Sequence, residues 1–268
     1  MTLLFDRFFD DAAIFPPGNA AMEDAVRAHV AVQGSPLGRH VGPFVCSAPR
    51  LPALGDAVVK SGVESLDLAL VTPAGQAQAA ISAAHDDPRL RLRAVEVSGT
   101  HAGDSLPTVP EGAQLFVERS VKPPFDLPPG GALKLRTGGE TADAFPDDTR
   151  LAAALASAVR EDLRFKLTAG LHSAVRHTDT TTSFEHHGFL NVVLAVHAAL
   201  TGSDDLTPIL AERDPAVVAA AITELDEGAR GRVRSHFLSF GTCSFLEPID
   251  DLRRLGLVSL EPVERNLM

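Results

Sequence analysis

The chain has 268 residues, of which 45% are hydrophobic and 22% are charged, and 35 acidic against 24 basic residues give a formal net charge of −11. This balance is typical of a globular protein and excludes a disordered or fibrous chain. No lysine- or arginine-rich run of the kind that binds phosphate backbones is present, and no apolar run approaches the ~20 residues that span a bilayer. We therefore expect no nucleic-acid partner and no membrane association.

The first residues and the cysteines indicate a cytoplasmic protein. The opening segment MTLLFDRFFDDA carries acidic side chains where a signal peptide has a basic region. Cys46 and Cys243 are the two cysteines of the chain, which excludes a disulfide framework and a CxxC metal site. Both are predicted to point into the fold as small apolar residues rather than to act as nucleophiles.

Short β-rich segments alternate with amphipathic segments along most of the chain. Eight strands are predicted, at residues 12–15, 42–47, 66–72, 92–98, 114–118, 132–137, 164–169 and 236–242. Apolar residues at helical spacing predict helices within residues 22–30, 51–58, 151–159, 190–197, 217–225 and 248–255, and Asn19 is the predicted N-cap of the first. The connections after the fourth and fifth strands are rich in proline and glycine, so irregular structure is expected there.

Eight strands that alternate with helices within 268 residues predict one domain, residues 1–268, folded as a single (β/α)8 barrel of the TIM type. An open doubly wound sheet is the alternative architecture. No GxGxxG motif follows the first predicted strand, which removes the usual signal of the dinucleotide-binding form of that fold.

Strand alternation predicts which side chains point into the barrel. Leucines and valines take the positions that face the helices, so the residues between them point inward. This assigns inward positions on four neighbouring strands to Glu96, Glu118, Lys134, Arg136, Lys166 and Thr168. Any one of these charges could be structural, as part of an ion pair that closes the barrel. Several buried charges together are costly unless they pair or react, so the group as a whole indicates a site.

The two lysines carry the chemical hypothesis. Lys134 and Lys166 lie on consecutive predicted strands at similar heights, so their backbones are expected within about 5 Å of each other. Two ammonium groups in one buried mouth repel each other, which predicts a lowered pKa for one of them. A neutral amine can attack a carbonyl carbon and form an imine, with the second lysine and a carboxylate (Glu96 or Glu118) assisting proton transfer.

Three short segments resemble the deoxyribose-phosphate-aldolase-like class I aldolases. KLTAG, at residues 166–170, is similar to the strand of that family whose lysine forms the Schiff base, and KLRTGG, at 134–139, is similar to the strand with its second lysine. GTCS, at 241–244, resembles the family's phosphate-binding turn at the last strand. The two lysine segments occur here in the opposite order, so either lysine is a candidate for the imine. Lys166 is the first choice and Lys134 the second.

The resemblance implies a carbonyl-processing lyase that needs no cofactor or metal and acts on a small phosphorylated or carboxylated substrate. An anionic group of that substrate would contact Arg136 and the residues near the strand ends: Gly138, Gly139, Thr168, His172, Gly241, Thr242 and Ser244. The sequence leaves the oligomeric state open, a homo-oligomer included.

A histidine-rich segment supports two further interpretations. His172, His177, His186 and His187 follow the seventh predicted strand, on the face where substrate would enter a barrel. A long polar connection at this position indicates a substrate lid that is mobile without ligand. The alternatives to a lyase are a metal-assisted hydrolase that uses the segment from His172 to His187, and a non-catalytic barrel that binds a small molecule.

Overall fold

The computed structural model describes residues 2–100 and 106–258. Within this part of the chain, eight parallel strands close into a barrel in the order β1-β10-β7-β6-β5-β4-β3-β2, which confirms the predicted TIM-type α/β fold. The barrel strands are β1 Phe9–Asp11, β2 Val41–Ser47, β3 Leu66–Pro73, β4 Leu90–Ser98, β5 Gln114–Arg119, β6 Ala132–Arg136, β7 Phe165–Thr168 and β10 Phe237–Thr242. The remaining two strands, β8 His177–Thr178 and β9 Glu185–His186, form a separate antiparallel pair.

The first strand was predicted at the wrong place. It covers Phe9–Asp11 rather than residues 12–15, and it pairs with β2 on one side and with β10 on the other. The backbone N–H of Ala12 still donates to the carbonyl of Thr242, after which residues 13–18 turn away from the barrel. Ala12 and Phe15 pack against the interior cluster, and Ile14 belongs to the apolar layer between strands and helices, so the hydrophobicity of this segment does not mark a strand.

Nine α-helices lie in the described residues: α1 Met22–Gln33, α2 Leu51–Ser61, α3 Ala77–His85, α4 Asp148–Arg160, α5 Phe189–Leu200, α6 Thr207–Ala211, α7 Pro215–Glu224, α8 Glu227–His236 and α9 Leu246–Arg254. The prediction of Asn19 as an N-cap was wrong, because Ala21 takes that position and Asn19 adopts a left-handed backbone with φ 46°. The segments of α3, α6 and α8 were not predicted. The sequence of α8, EGARGRVRSH, is polar and contains two glycines, so its helical periodicity is weak.

The connections after β4 and β5 contain no helix in the residues that the structure describes, as their composition predicted; positions 101–105 of the first connection lie outside the described residues. The segment after β7 is more regular than predicted. It folds back on itself as the β8/β9 hairpin, and the Asp179 carboxylate accepts hydrogen bonds from the backbone N–H groups of Thr181 and Thr182 in the turn.

Large apolar side chains pack mainly between the strands and the helices, while the barrel interior holds few of them. The interior cluster of buried apolar residues consists of Val45, Ala69, Ala94, Phe116 and Ala132. Cys46 is buried on the helix-facing side of β2, so its predicted inward orientation was wrong. Because alanine fills so little volume, charged and polar side chains occupy much of the barrel interior.

Candidate active site

Lys134 and Lys166 lie side by side inside the barrel. They are direct register partners on β6 and β7, and Glu118 on β5 is the register partner of Lys134. The relative exposure is 4% for Lys134 and 1% for Lys166. The predicted juxtaposition of two buried lysines is therefore observed. The chain has four lysines in all, so half of them lie within this barrel.

Three carboxylates surround the two ammonium groups. Lys166 Nζ lies 2.5 Å from Asp10 Oδ2 and 2.5 Å from Glu96 Oε1. Lys134 Nζ lies 2.8 Å from Glu96 Oε2 and 3.1 Å from Glu118 Oε2. Glu96 thus bridges both lysines through its two oxygens. We call these five residues the lysine–carboxylate network.

The network reverses the predicted effect on the pKa of Lys166. Burial alone would lower the pKa of this lysine, but the charges and hydrogen bonds of Asp10 and Glu96 outweigh burial and raise the pKa above its usual value. Burial also acts to raise the pKa of Glu96, yet its two lysine partners lower it to about 2. The prediction of a depressed lysine pKa from like-charge repulsion was wrong for Lys166, because that argument left out the carboxylates between the two amines.

Asp10 is the network member that sequence reasoning missed. It is buried on β1, where burial raises the pKa of its carboxyl above the usual value despite the contact with Lys166. Ser239 Oγ on β10 donates a hydrogen bond of 2.7 Å to Asp10 Oδ2. A Cβ atom at Gly42 would lie 2.2 Å from Asp10 Oδ1, so this glycine makes room for the carboxylate. The available signal was an acidic pair directly preceded by two phenylalanines in FFDD, which indicates buried rather than solvated acids.

A pocket of about 300 Å³ opens beside the network at the C-terminal ends of β5 and β6. Glu118 lines it together with three arginines, Arg119, Arg136 and Arg150. Arg119 is held by hydrogen bonds to the carbonyls of Glu118 and Asp126, whereas Arg136 is exposed. The lining thus holds three guanidinium groups against two carboxylates, since Asp143 also belongs to it. This balance favours an anionic ligand, and bidentate hydrogen bonding to carboxylate or phosphate is the preferred geometry of guanidinium groups.

A larger cavity of about 450 Å³ lies at the opposite end of the barrel, lined by Arg7, Asp67 and Gln114 near the strand beginnings. Asp10 and Ser239 form its inner end. Asp67 pairs there with Arg7 at 2.7 Å and with two other arginines, so the cations of this end are already partnered. We place the candidate site at the C-terminal end, because βα connections there supply the reactive groups of parallel barrels.

The predicted anion-binding glycines differ in their surroundings. Gly138 is buried, and a Cβ atom at this position would lie 2.8 Å from Gly170 Cα. This glycine therefore allows the loops after β6 and β7 to pack closely together. Gly139 is exposed, and Gly241 lies on the barrel interior, where its added Cβ would be 3.3 Å from Thr168 Oγ1. Thr168 and Gly241 are register partners, so they share one level of the barrel.

His172, Thr242 and Ser244 meet at the end of β10. His172 Nδ1 lies 2.9 Å from Glu247 Oε2 and 3.4 Å from Thr242 Oγ1. Thr242 Oγ1 also donates to the carbonyl of Ser244 at 3.1 Å and accepts from the Ser244 N–H at 3.3 Å. These three predicted residues form a compact turn of their own and do not contact the lysine–carboxylate network through any described hydrogen bond or ion pair.

Of the other histidines after β7, His177 and His186 lie with their ring centroids 5.2 Å apart in the hairpin, while each of the three pairs with a different backbone carbonyl. His177 Nδ1 pairs with the carbonyl of Val175, His186 Nδ1 with that of Gly170, and His187 Nε2 with that of Pro146. Across residues 2–100 and 106–258, no three or more His, Cys, Asp or Glu side chains are arranged to hold a metal ion. The geometry of this segment thus lends no support to the metal-assisted hydrolase hypothesis.

Comparisons of the chain with models of protein families, with curated proteins and with solved structures found no match. None of the helices in the described residues has the length and apolarity needed to cross a membrane. The assignment of function therefore depends on the geometry and chemistry of the barrel itself.

Proposed function

We propose that the protein is a carbonyl-processing lyase of the class I aldolase type, which acts through a lysine imine on a small anionic substrate. The observation that supports this proposal is a buried pair of lysines directly behind an arginine-lined pocket. The C-terminal end of a parallel barrel is the usual place for such chemistry. The lysine–carboxylate network supplies the nucleophile and the proton-transfer groups, and the pocket supplies the anion-binding groups.

Lys134 is the better nucleophile of the two lysines. Both partners of Lys166 are almost fully buried, at 3% and 2% relative exposure for Asp10 and Glu96, and they hold its proton firmly. Lys134 instead contacts Glu118, whose side chain is 23% exposed and lines the pocket. A carbonyl compound that enters the pocket therefore meets Glu118 and then Lys134, while Lys166 lies behind them. The sequence favoured Lys166 as the imine-forming lysine and Lys134 as the second choice, and our proposal reverses that order.

The network fits the charge changes of imine chemistry. The Lys134 ammonium first gives a proton to the Glu118 carboxylate, and the neutral amine then attacks the carbonyl carbon. Loss of water produces a protonated imine, so the positive charge beside Glu96 is restored. After giving its proton to the departing water, Glu118 takes the proton of the substrate hydroxyl beside the bond to be cleaved, so the hydroxyl carbon leaves as an aldehyde and the electron pair of the broken bond moves toward the iminium nitrogen. Glu118 then protonates the enamine carbon, and hydrolysis of the imine by water releases the second carbonyl product and frees Lys134. Glu118 can return the proton because it touches both the lysine and the pocket.

Substrate charge would be recognised by the arginines around the pocket. Arg136 follows Lys134 by two residues on β6, so both side chains emerge on the same face of the strand. A carboxylate or phosphate bound by Arg136 and Arg150 would thus lie close to the Lys134 amine, because Lys134 is two residues from Arg136 along β6. Arg119 is partly occupied by protein carbonyls, which suits it to shaping the pocket as well as to binding anions.

Imine trapping tests the proposal with an internal control. The protein would be incubated with pyruvate, dihydroxyacetone phosphate or acetone, reduced with borohydride, and digested for mass spectrometry. We expect one adduct per chain on Lys134 with the two anionic compounds and much less with acetone. Lys60 and Lys122, which are exposed, report the reactivity of ordinary surface lysines in the same sample. Equal labelling of all lysines, or labelling confined to Lys60 and Lys122, would refute the proposal.

A matched variant separates chemistry from folding. Lys134→Arg keeps a positive charge beside Glu96 and Glu118 and cannot form this imine, so we expect a folded protein without the adduct. Arg136→Gln should retain labelling by acetone but reduce labelling by the anionic probes about tenfold, since the loss of one charge-assisted hydrogen bond costs about 1.5–3 kcal/mol. Pyruvate binding without any adduct in the parent protein would favour the non-catalytic binding barrel instead.

A further inference from the structure

Cys243 occupies a turn between a strand and a helix at the rim of the barrel. It directly follows β10, and α9 begins three residues later at Leu246. Its side chain is partly exposed, in contrast to the fully buried Cys46. Nucleophilic residues of several hydrolase folds lie on turns of this kind, because the strand holds them rigidly and the helix N-terminus favours negative charge.

An imidazole and a carboxylate lie beside this cysteine. Cys243 Sγ is 3.8 Å from both His172 Nδ1 and His172 Nε2, and His172 Nδ1 is 2.9 Å from Glu247 Oε2. His172 lies in the connection after β7, Cys243 in the connection between β10 and α9, and Glu247 in the first turn of α9. Glu247 binds Nδ1 of the imidazole, and Cys243 Sγ lies equally far from both ring nitrogens, so Nε2 is the nitrogen left to exchange a proton with the thiol. A nucleophile, a base and an orienting carboxylate are the three groups that activate a thiol or hydroxyl.

We propose that Cys243, His172 and Glu247 form a second reactive centre, in which the Cys243 thiol accepts the acyl group of an activated ester or thioester. Cys243 is the nucleophile, His172 transfers the proton, and Glu247 holds the imidazole in place. The centre is independent of the imine chemistry proposed for Lys134, because it shares no residue with the lysine–carboxylate network.

The reaction balances with water as the only other reactant. The thiol proton passes to His172, and Cys243 Sγ forms a bond to the acyl carbon. The bond between that carbon and the leaving oxygen or sulfur breaks, and the leaving group takes the proton from His172. Water then attacks the thioester with His172 as the base, which releases a carboxylic acid and regenerates the Cys243 thiol.

The charges around His172 favour the proton on the imidazole. Burial acts to lower the pKa of His172, but its hydrogen bonds and charge interactions with Cys243 and Glu247 raise the pKa to about 9. His186 on the β8/β9 hairpin also interacts with His172 by charge, and burial lowers the pKa of His186. These contacts favour the proton that the proposed reaction places on His172, and the thiolate is the form in which cysteines react.

The test uses p-nitrophenyl acetate and the full-length protein. We expect a burst of about one equivalent of p-nitrophenolate per chain at pH 7, with the acetyl group mapped to Cys243 by mass spectrometry. Cys46 is the control within the same molecule, because it is buried and its pKa is raised to about 12 by that burial. Cys243→Ala should abolish the burst without changing the melting temperature by more than a few degrees.

The pH dependence distinguishes activation from a merely structural role. His172→Gln should reduce the acetylation rate of Cys243 at least tenfold at pH 7 and much less at pH 10, where an unassisted thiol is ionised. Glu247→Gln should give a smaller reduction with the same pH trend. Equal acetylation of Cys46 and Cys243, acetylation confined to lysines, or an unchanged pH profile in His172→Gln would overturn the proposal.

Discussion

Replacement of Lys166 by methionine tests whether the lysine–carboxylate network is organised as described. Methionine keeps most of the volume of the lysine stem and removes the charge. From the sequence alone, loss of a buried charge would be expected to be tolerated. The structure predicts the opposite, because the substitution leaves Asp10 and Glu96 buried and without their shortest contacts, both 2.5 Å long.

Lys166→Met should lower the free energy of unfolding strongly, but the remaining partners of Asp10 and Glu96 limit the loss. Removal of one partner from a buried ion pair destabilises a protein by about 3–5 kcal/mol. Asp10 keeps the hydrogen bond from Ser239, and Glu96 keeps Lys134 at 2.8 Å, so neither carboxylate is wholly unpartnered. For a domain of this size, a loss of 3–5 kcal/mol lowers the melting temperature by roughly 10 °C.

Lys134→Met is the matched control. It leaves Glu96 paired with Lys166, and it leaves Glu118 partly exposed to water, so we expect a loss of about 1–3 kcal/mol. Urea unfolding would be followed by circular dichroism, since the chain has no tryptophan or tyrosine for fluorescence. Equal losses in the two variants, or a loss below 1 kcal/mol for Lys166→Met, would contradict the assignment of Lys166 as the central cation.

The pH dependence of Lys166→Met provides a second check. Burial already raises the pKa of Asp10 in the parent protein, and removal of Lys166 takes away the charge that opposes this shift. A carboxyl whose pKa is higher in the folded than in the unfolded state stabilises the fold at low pH, and this contribution is lost as the pH rises through its folded pKa. The free energy of unfolding of Lys166→Met should therefore lie further below that of the parent protein at pH 8 than at pH 5. Adding Asp10→Asn to the variant should remove most of that pH dependence.

Two further predictions concern stability. Gly138→Ala should destabilise the fold by about 1–3 kcal/mol in urea titrations, because the new Cβ would lie 2.8 Å from Gly170 Cα, whereas Gly75→Ala should be neutral since no atom lies within 4 Å of its added Cβ. Burial lowers the pKa of His187 to about 4, so on acidification this histidine is protonated in the unfolded chain at a higher pH than in the folded protein. The free energy of unfolding should therefore fall by about 2 kcal/mol between pH 7.5 and pH 5. His187→Gln should lack this part of the pH dependence, and an unchanged pH profile in that variant would contradict the assignment.

The fold and the lysine pair could be predicted because both depend on local pattern. Alternation within ALKLR and RFKLT places leucines against the helices and lysines inside, and it needs no knowledge of distant residues. Neighbouring parallel strands then bring Lys134 and Lys166 together by register. Helices with strong apolar stripes were predicted for the same reason, whereas the polar sequence of α8 is held by its Asp226 cap and by the burial of Ala229 and Val233.

The protonation of the site could not be predicted, because it depends on contacts between residues far apart in the chain. Asp10 and Lys166 are separated by 156 positions, and Glu96 and Lys166 by 70. The Asp10–Lys166 pair forms only when the barrel closes between β1 and β10, and the short β1 was predicted three residues too late. The Glu96–Lys166 pair crosses the interior between β4 and β7, which are not neighbours in the barrel. Strand alternation shows which side chains point inward, but it does not show which of them touch. Cys243 and His172 likewise meet through two connections whose paths no periodicity determines.

The composition of the barrel interior bears on why the charges are there. Small apolar residues leave space that two lysine stems fill, so the network serves as packing as well as electrostatics. Well-packed aliphatic residues would fill the same space at equal or greater stability, because desolvation offsets much of the attraction between buried charges. Stability alone therefore does not account for three carboxylates and two lysines in one barrel. A role in proton transfer would account for them, since Glu118 connects the buried network to the arginine-lined pocket. On this argument the charges persist because they let a proton move between the pocket and the buried lysines, and the proposed imine at Lys134 is the reaction that would use that path.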